Sequence, residues 1–112
     1  MTGCLVPLRT KGPNGGHEHW RVLHRRRKHE RKLAWLLCPD ASLPCVVTLT
    51  RLSAGTLDDD NLRGALKAIR DGVADRLGVD DADPRLRFEY AQERCGRGHY
   101  GVRVDITRGP SA

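Results

Sequence analysis

Three consecutive carboxylates, Asp58, Asp59 and Asp60, are the residues of this 112-residue chain whose types and spacing best suit chemistry. Adjacent carboxylates repel one another, so the cluster needs positive compensation. A hard divalent cation, Mg²⁺ or Mn²⁺, prefers carboxylate oxygens and would supply it. Side chains alternate along an extended stretch, so Asp58 and Asp60 would point the same way and share one ion, with Asp59 pointing elsewhere.

A helix N-terminus is a second source of compensation for these acids. It presents unpaired backbone N–H groups and about half a positive charge, and either Asp58 or Asp60 could be its N-cap. Capping explains one acid, or at most two, and leaves the downstream group Asp80, Asp81 and Asp83 unexplained. Spacing alone therefore supports a metal site and a capped helix with a solvated acidic turn about equally.

Asp80 and Asp81 could complete a metal site only under a geometric condition. The helix predicted from about Asp60 to Leu77 separates them from the first acids, and it would be roughly 27 Å long. The two groups could meet if that helix is shorter, or broken near Asp71-Gly72. They could also meet if two subunits contribute to one site.

Positive charge is concentrated in the first half of the chain. The net charge of +6 and the pI near 9.6 favour an anionic partner, with nucleic acid as the first candidate. Residues 24–32 contain no apolar side chain, which indicates a stretch that faces solvent or grips phosphates without reading sequence. Trp20 is predicted to pack in the core or at the start of the helix rather than to stack on a base. The cations assigned to nucleic acid are Arg21, Arg25, Arg26, Arg27, Lys28, Arg31, Lys32 and Arg63.

Other functional classes are disfavoured by the composition. No apolar run approaches the ~20 residues of a membrane span. The N-terminus lacks the basic and apolar segments of a secretory signal. The four cysteines match no zinc spacing and are expected to be reduced thiols. We therefore expect a cytoplasmic protein that has no membrane partner.

Periodicity and turn residues predict the elements that must position these side chains. Helices are expected from about His17 to Leu37 and from about Asp60 to Leu77, and Gly78 is the C-terminal cap of the second. The apolar face of that second helix is formed by Leu62, Leu66, Ile69, Val73 and Leu77. Strands are expected at Cys4–Leu8, Cys45–Leu52, Arg85–Gln92 and Tyr100–Ile106. The Cys45–Leu52 strand should be central, and the tail from Thr107 should be frayed.

These elements follow the order β-α-β-α-β-β. We therefore expect an α/β (α+β) fold with a small mixed sheet of about four strands and two main helices, in one domain over residues 1–112.

The segment from Leu57 to Asp81 resembles the RusA family of Holliday junction resolvases, especially its phage and prophage members. The matching features are Asp-x-Asp-Asn at the start of a helix, here Asp58 to Asn61, an apolar helix of this length, and an Asp-Asp turn at Asp80-Asp81. The resemblance implies a homodimer that cleaves four-way DNA junctions with Mg²⁺. It also implies catalytic and metal-binding roles for Asp58, Asp60 and Asp81, with Asp80 as the alternative ligand.

The chain departs from the family pattern at one position. A catalytic Lys normally follows the second Asp by one helical turn, and Gly64 stands there. Lys67 or Arg63 is expected to substitute, and Lys67 is the assigned residue. The expected activity is a metal-dependent endonuclease that acts on branched DNA in recombination and repair. The alternatives are a RusA-like protein that binds junctions without cutting, and a small basic adaptor for a protein or membrane surface.

Overall fold

The computed structural model describes residues 2–10, 20–96 and 98–109. Within them, six elements follow the predicted order β-α-β-α-β-β. They are β1 (Thr2–Val6), α1 (Trp20–Leu37), β2 (Cys45–Ser53), α2 (Asp59–Leu77), β3 (Leu86–Arg94) and β4 (Gly101–Arg108). The predicted fold, a four-stranded mixed sheet with two helices, is confirmed.

Several boundaries differ from the prediction because strand pairing extends the strands. Thr2 pairs with Ile106, so β1 begins before the predicted Cys4. Arg108 pairs with Cys45, so β4 continues beyond Thr107, and the predicted fraying is wrong for Thr107 and Arg108. The rest of that tail, residues 110–112, lies outside the described residues. The predicted loop and helix start between residues 11 and 19 lie outside the described residues.

The sheet has the strand order β1-β4-β2-β3, which places β2 in the centre as predicted. β2 is parallel to β3 and antiparallel to β4. Two parallel neighbours need a crossover connection, and α2 is that connection. The crossover carries the chain from one end of the sheet to the other, so the acids before and after α2 lie at opposite ends.

Both helices cover the same face of the sheet. α1 contacts β1, and α2 contacts β2 and β3. The predicted apolar face of α2 is buried, with Leu66, Ile69 and Val73 fully covered. Full burial of a side chain of this size contributes about 1.5–3 kcal/mol, so this face fixes α2 on the sheet.

α2 is continuous through Asp71 and Gly72, so the break considered there is wrong. Gly72 is instead the point at which α1 crosses α2. A Cβ at residue 72 would collide with the backbone oxygen of Arg31 and would lie 2.8 Å from the Cβ of Ala34. The glycine is therefore required by the close approach of two backbones.

The basic stretch of α1 has a buried side that its composition does not reveal. Glu30 is only 3% exposed, and its carboxylate is 3.3 Å from the guanidinium of Arg26, one turn earlier. Arginine stems can cover apolar surface while their charged ends reach a partner. The prediction that residues 24–32 offer no inward face is therefore wrong.

The four cysteines are free thiols. Burial raises the pKa of the Cys38 thiol to about 12, so this thiol is protonated at neutral pH. Neither helix within residues 2–10, 20–96 and 98–109 is apolar enough over its length to cross a membrane.

Candidate functional site

Asp58 is the N-cap of α2. Its backbone is extended, with φ −69° and ψ 169°, and its Oδ1 accepts a hydrogen bond of 2.9 Å from the backbone N–H of Asn61. Its Oδ2 accepts a second bond of 3.1 Å from the side-chain amide of Asn61. Of the two N-caps considered from the sequence, Asp58 is confirmed. Asn61 fixes the orientation of this carboxylate.

The residue before the cap is held by β3. The backbone N–H of Leu57 donates to Oε1 of Gln92 at 2.9 Å. The side-chain amide of Gln92 donates in turn to the carbonyl of Leu57 at 2.7 Å. These two bonds anchor the start of α2 to the end of β3, and Asp58 is the next residue.

Asp59 and Asp60 lie in the first turn of α2 and are exposed. Because α2 begins at Asp59, the extended geometry that would align Asp58 with Asp60 does not exist, and that prediction is wrong. Of the ion pairs formed among the described residues, none involves any of these three acids. The N-terminus of α2 contributes positive potential at these acids.

The acids at the other end of α2 are paired with arginines. Oδ2 of Asp81 is 2.9 Å from Nη2 of Arg70. Asp75 receives two bonds from Arg31, at 2.6 and 2.8 Å, and this pairing lowers the pKa of its carboxyl. Asp80 instead accepts a 2.9 Å bond from the backbone N–H of Ala82, which lowers the pKa of Asp80.

The acids implied as metal ligands do not come together within one chain. α2 has 19 residues and is therefore about 28 Å long, with Asp58 and Asp60 at one end and Asp80 and Asp81 at the other. In the part of the chain that the structure describes, no three His, Cys, Asp or Glu side chains form a group suited to a metal ion. One chain thus does not supply the implied Mg²⁺ ligand set.

A groove of about 320 Å³ lies between α1 and α2, and three of the eight candidate cations line it. Its continuation along α1 is lined by Lys32, Trp35 and Asp75. Asp71 and Asp75 are the acids along this path, and Arg31 already neutralises Asp75. The residues that line the first groove are His24, Arg27, Lys28 and Arg31 of α1 with Lys67, Ala68 and Asp71 of α2.

The structure divides the eight assigned cations. Arg27, Lys28 and Arg31 line the groove, Lys32 lines its continuation, and Arg25 is exposed on α1. The other three have neighbours of their own. The guanidinium of Arg21 lies 5.5 Å from the ring centre of Trp20, and that of Arg26 contacts Glu30. That of Arg63 lies 5.4 Å from the ring centre of Tyr90, away from the groove.

Lys67 is exposed and lies in the groove. It follows Asp60 by seven residues, so both side chains lie on one face of α2, two turns apart. Gly64, half-buried, lies between them. Of the two residues considered as substitutes for the family's Lys, Lys67 is therefore the one on the groove side.

Arg51 is a structural residue that the sequence reasoning missed. It is only 7% exposed, its Nε donates to Oγ1 of Thr10 at 3.0 Å, and its Nη1 donates to the carbonyl of Gly55 at 3.3 Å. Burial, followed by the nearby charge of Arg9, lowers its pKa. The inward alternation of β2 was the available signal, because Val47, Leu49 and Arg51 share one face.

No protein-family model, curated protein or solved structure matches this chain. The functional argument therefore depends on the residues and their geometry. The arrangement places cations along a groove and two exposed carboxylates, Asp58 and Asp60, at the helix end beyond Lys67.

Proposed function

We propose that this protein binds branched DNA, with four-way junctions as the preferred form, through the groove between α1 and α2. The observation that carries the proposal is the set of cations that line this groove from both helices, which are Arg27, Lys28 and Arg31 of α1 and Lys67 of α2. A basic run on one helix can be a solvated face. Cations that line a concave surface from two elements suit a linear polyanion better.

Binding of this kind has a measurable salt dependence. Each cation that contacts a phosphate releases counterions, and log K falls with log salt by about 0.9 per phosphate contact on duplex DNA. We therefore expect the affinity for a synthetic four-way junction to fall steeply as salt rises.

The binding test compares the Arg27→Ala, Lys28→Ala double variant with Arg87→Ala. Arg87 is an exposed arginine of β3 that lies outside the groove. The double variant should bind the junction at least tenfold more weakly and lose about two units of salt slope, and Arg87→Ala should match the parent. Unchanged junction binding by the double variant would reject the groove as the binding surface.

Mg²⁺-dependent cleavage of the junction is the second candidate function. The observation that favours it is the exposure of Asp60, with Asp58 oriented by Asn61, at the end of the helix that lines the groove. Because the described residues of one chain do not bring the implied ligands together, this candidate requires a homodimer in which a second copy contributes a carboxylate. Its biological setting would be DNA recombination and repair.

The cleavage test is junction nicking in Mg²⁺, in Mn²⁺ and in EDTA. An endonuclease cuts with either metal, stops in EDTA, and loses cutting but keeps binding in Asp60→Asn. Asp59→Asn is the matched control and should cut normally. Lys67→Ala should reduce cutting beyond its effect on binding if Lys67 acts in the reaction. Junction binding without cutting under any metal would leave a DNA-binding protein that lacks the chemistry.

A further inference from the structure

Trp20 is exposed in the structure, so the prediction that it packs at the helix start is wrong. It is the first residue of α1 and 65% of its surface is accessible. Exposing a side chain of this size to water is unfavourable, since its burial would remove a large apolar area. A surface indole of this kind suits a ligand with a flat apolar face.

Helical geometry places Trp20 on the groove side of α1. His24 follows it by four residues, Arg27 by seven and Arg31 by eleven, the spacing of a single helix face. Those three residues line the groove. Trp20 is therefore the first member of the same row of side chains.

Trp20 also lies towards the acidic start of α2. His24 and Arg27 lie beside Lys67 and Ala68, and further along α1 the residue Trp35 lies beside Asp75. The two helices thus run in the same direction along the groove. One turn before His24, Trp20 extends the groove towards the end of α2 that carries Asp60.

An indole at the head of a cationic groove fits one state of nucleic acid in particular. Paired bases are stacked on their neighbours inside a duplex, whereas unpaired bases offer their faces to aromatic side chains. The cations beyond Trp20 would then hold the phosphates that follow the stacked base. The guanidinium of Arg21, 5.5 Å from the ring centre, adds a cation beside the indole.

We propose that the groove takes a single-stranded or unpaired DNA segment, with a base stacked on Trp20 and the following phosphates along Lys28 and Lys67. The inference rests on the proposed DNA-binding function and adds the substrate class: unpaired nucleotides, such as those exposed where a branched DNA opens. The positive lining disfavours a basic partner. The indole gives the groove a preference for unpaired bases, which phosphate contacts alone would not give.

Trp35 is a matched control on the same helix. It is 41% exposed, and its ring lies 5.6 Å from the guanidinium of Arg76. Its surroundings include Asp75, so a stacked nucleotide there would meet a carboxylate. Trp35 is thus a second exposed indole on α1, less exposed than Trp20 and with a carboxylate beside it.

The test measures affinity for a dT12 oligonucleotide and for a mixed-sequence 12-base-pair duplex. Trp20→Ala should weaken dT12 binding about 10- to 100-fold and change duplex binding less than twofold. Trp20→Phe should keep most of the dT12 affinity, because its ring still stacks. Trp35→Ala should weaken dT12 binding less than about threefold, because Trp35 lines only the continuation of the groove. In Trp35→Phe the fluorescence of the remaining indole, Trp20, should be quenched by dT12. Circular dichroism confirms that each variant is folded.

The outcomes separate this inference from the proposed function. If Trp20→Ala weakens both nucleic acids equally, or neither, the stacking inference is rejected while DNA binding remains. If the parent binds neither the junction nor dT12, the proposed function itself fails. Binding to an acidic peptide or an anionic vesicle in place of DNA would reject both.

Discussion

The two ends of α2 carry the same acidic residue type in different electrostatic surroundings. At the C-terminal end, Asp75 and Asp81 each have an arginine partner, Arg31 and Arg70. At the N-terminal end, the described residues place no arginine or lysine in an ion pair with any of the three acids from residue 58 to 60. The helix dipole and the hydrogen bonds of the cap act on the acids at this end.

This difference distinguishes aspartates that serve the structure through ion pairs from aspartates that are available to bind a cation. A carboxylate that is already hydrogen-bonded to a guanidinium has its charge satisfied, and recruiting it to a cation would require breaking that pair. The arginine pair of Asp81 therefore weighs against its use as a ligand within this chain. Among the described residues, the exposed Asp60 forms no ion pair that a cation would have to displace. An Asp-Asp motif thus indicates where acids lie. The side chains around each acid determine whether it is available to bind a cation.

The C-terminal half of α2 is also the half that α1 holds most closely, and Gly72→Ala would break this arrangement. The new methyl group would collide with the backbone of Arg31, and overpacking of this kind costs about 1–3 kcal/mol. We expect that loss in the free energy of unfolding, measured by chemical denaturation. Gly55→Ala is the control, since a Cβ there meets nothing within 4 Å. Equal stability of both variants would contradict the close crossing.

At the N-terminal end, Asp58→Ala should cost about 1 kcal/mol of unfolding free energy, the usual loss when a helix cap is removed. Asp58→Asn should cost much less, because an amide oxygen can still accept from the N–H of Asn61. Denaturation of the two variants measures the capping contribution. If Asn were as destabilising as Ala, the cap would not explain the role of Asp58 in the fold.

Asp60→Asn should tighten DNA binding about two- to fivefold in EDTA, since removing one exposed carboxylate near a phosphate relieves a repulsion worth roughly 0.5–1 kcal/mol. Asp81→Asn should leave DNA affinity unchanged, because Arg70 already offsets that charge. Fluorescence anisotropy at low salt measures both. A matching gain in the two variants would remove the distinction between the two helix ends.

Low pH should lower the stability of the fold mainly by protonating the aspartates that are paired with arginines. The pKa values of Asp75 and Asp83 are lowered in the folded state by Arg31 and Arg85, that of Asp83 to about 2. The unfolded chain therefore binds more protons, and the stability from these pairs is present above about pH 4 and lost as pH falls towards 2. Denaturation between pH 2 and 6 should show this loss.

Asp75→Asn should flatten that pH dependence, and Arg31→Ala should flatten it equally. At neutral pH each should cost no more than about 0.5 kcal/mol, because the pair is exposed to solvent. An unchanged acid slope in both variants would show that the pair has no linkage to folding.

The sequence was sufficient for those features that depend on local pattern. The apolar spacing of α2, the alternation of β4 and the turn residues predict the element order. The preference of aspartate for N-caps leaves Asp58 and Asp60 as the two candidates for the cap. Tertiary partners were not predictable in the same way. Nothing in the local pattern pairs Arg31 with a residue 44 positions later, and nothing shows that Gly72 faces the backbone of α1.

The α1 side chains show the same limit. From the sequence, the run of arginines looks uniformly exposed. In the structure, Arg26 contacts the buried Glu30, whereas Lys28 lines the groove. The exposure of Trp20 was missed for the complementary reason, since large apolar side chains are usually buried. The resemblance to RusA supplied positions for the acids and no information about their partners.

The two hydrogen bonds between Gln92 and Leu57 have a mechanical consequence. The side-chain amide of Gln92 pairs with both backbone groups of Leu57, as a neighbouring strand residue would do in a β-sheet. Leu57 is therefore hydrogen-bonded to the edge of the sheet like one more strand residue. The first turn of a helix normally frays, but here the residue before it is tied to a strand. Asp58 is thus located by the sheet as well as by the helix that it caps, and Gln92→Ala would loosen the start of α2 without touching an acid.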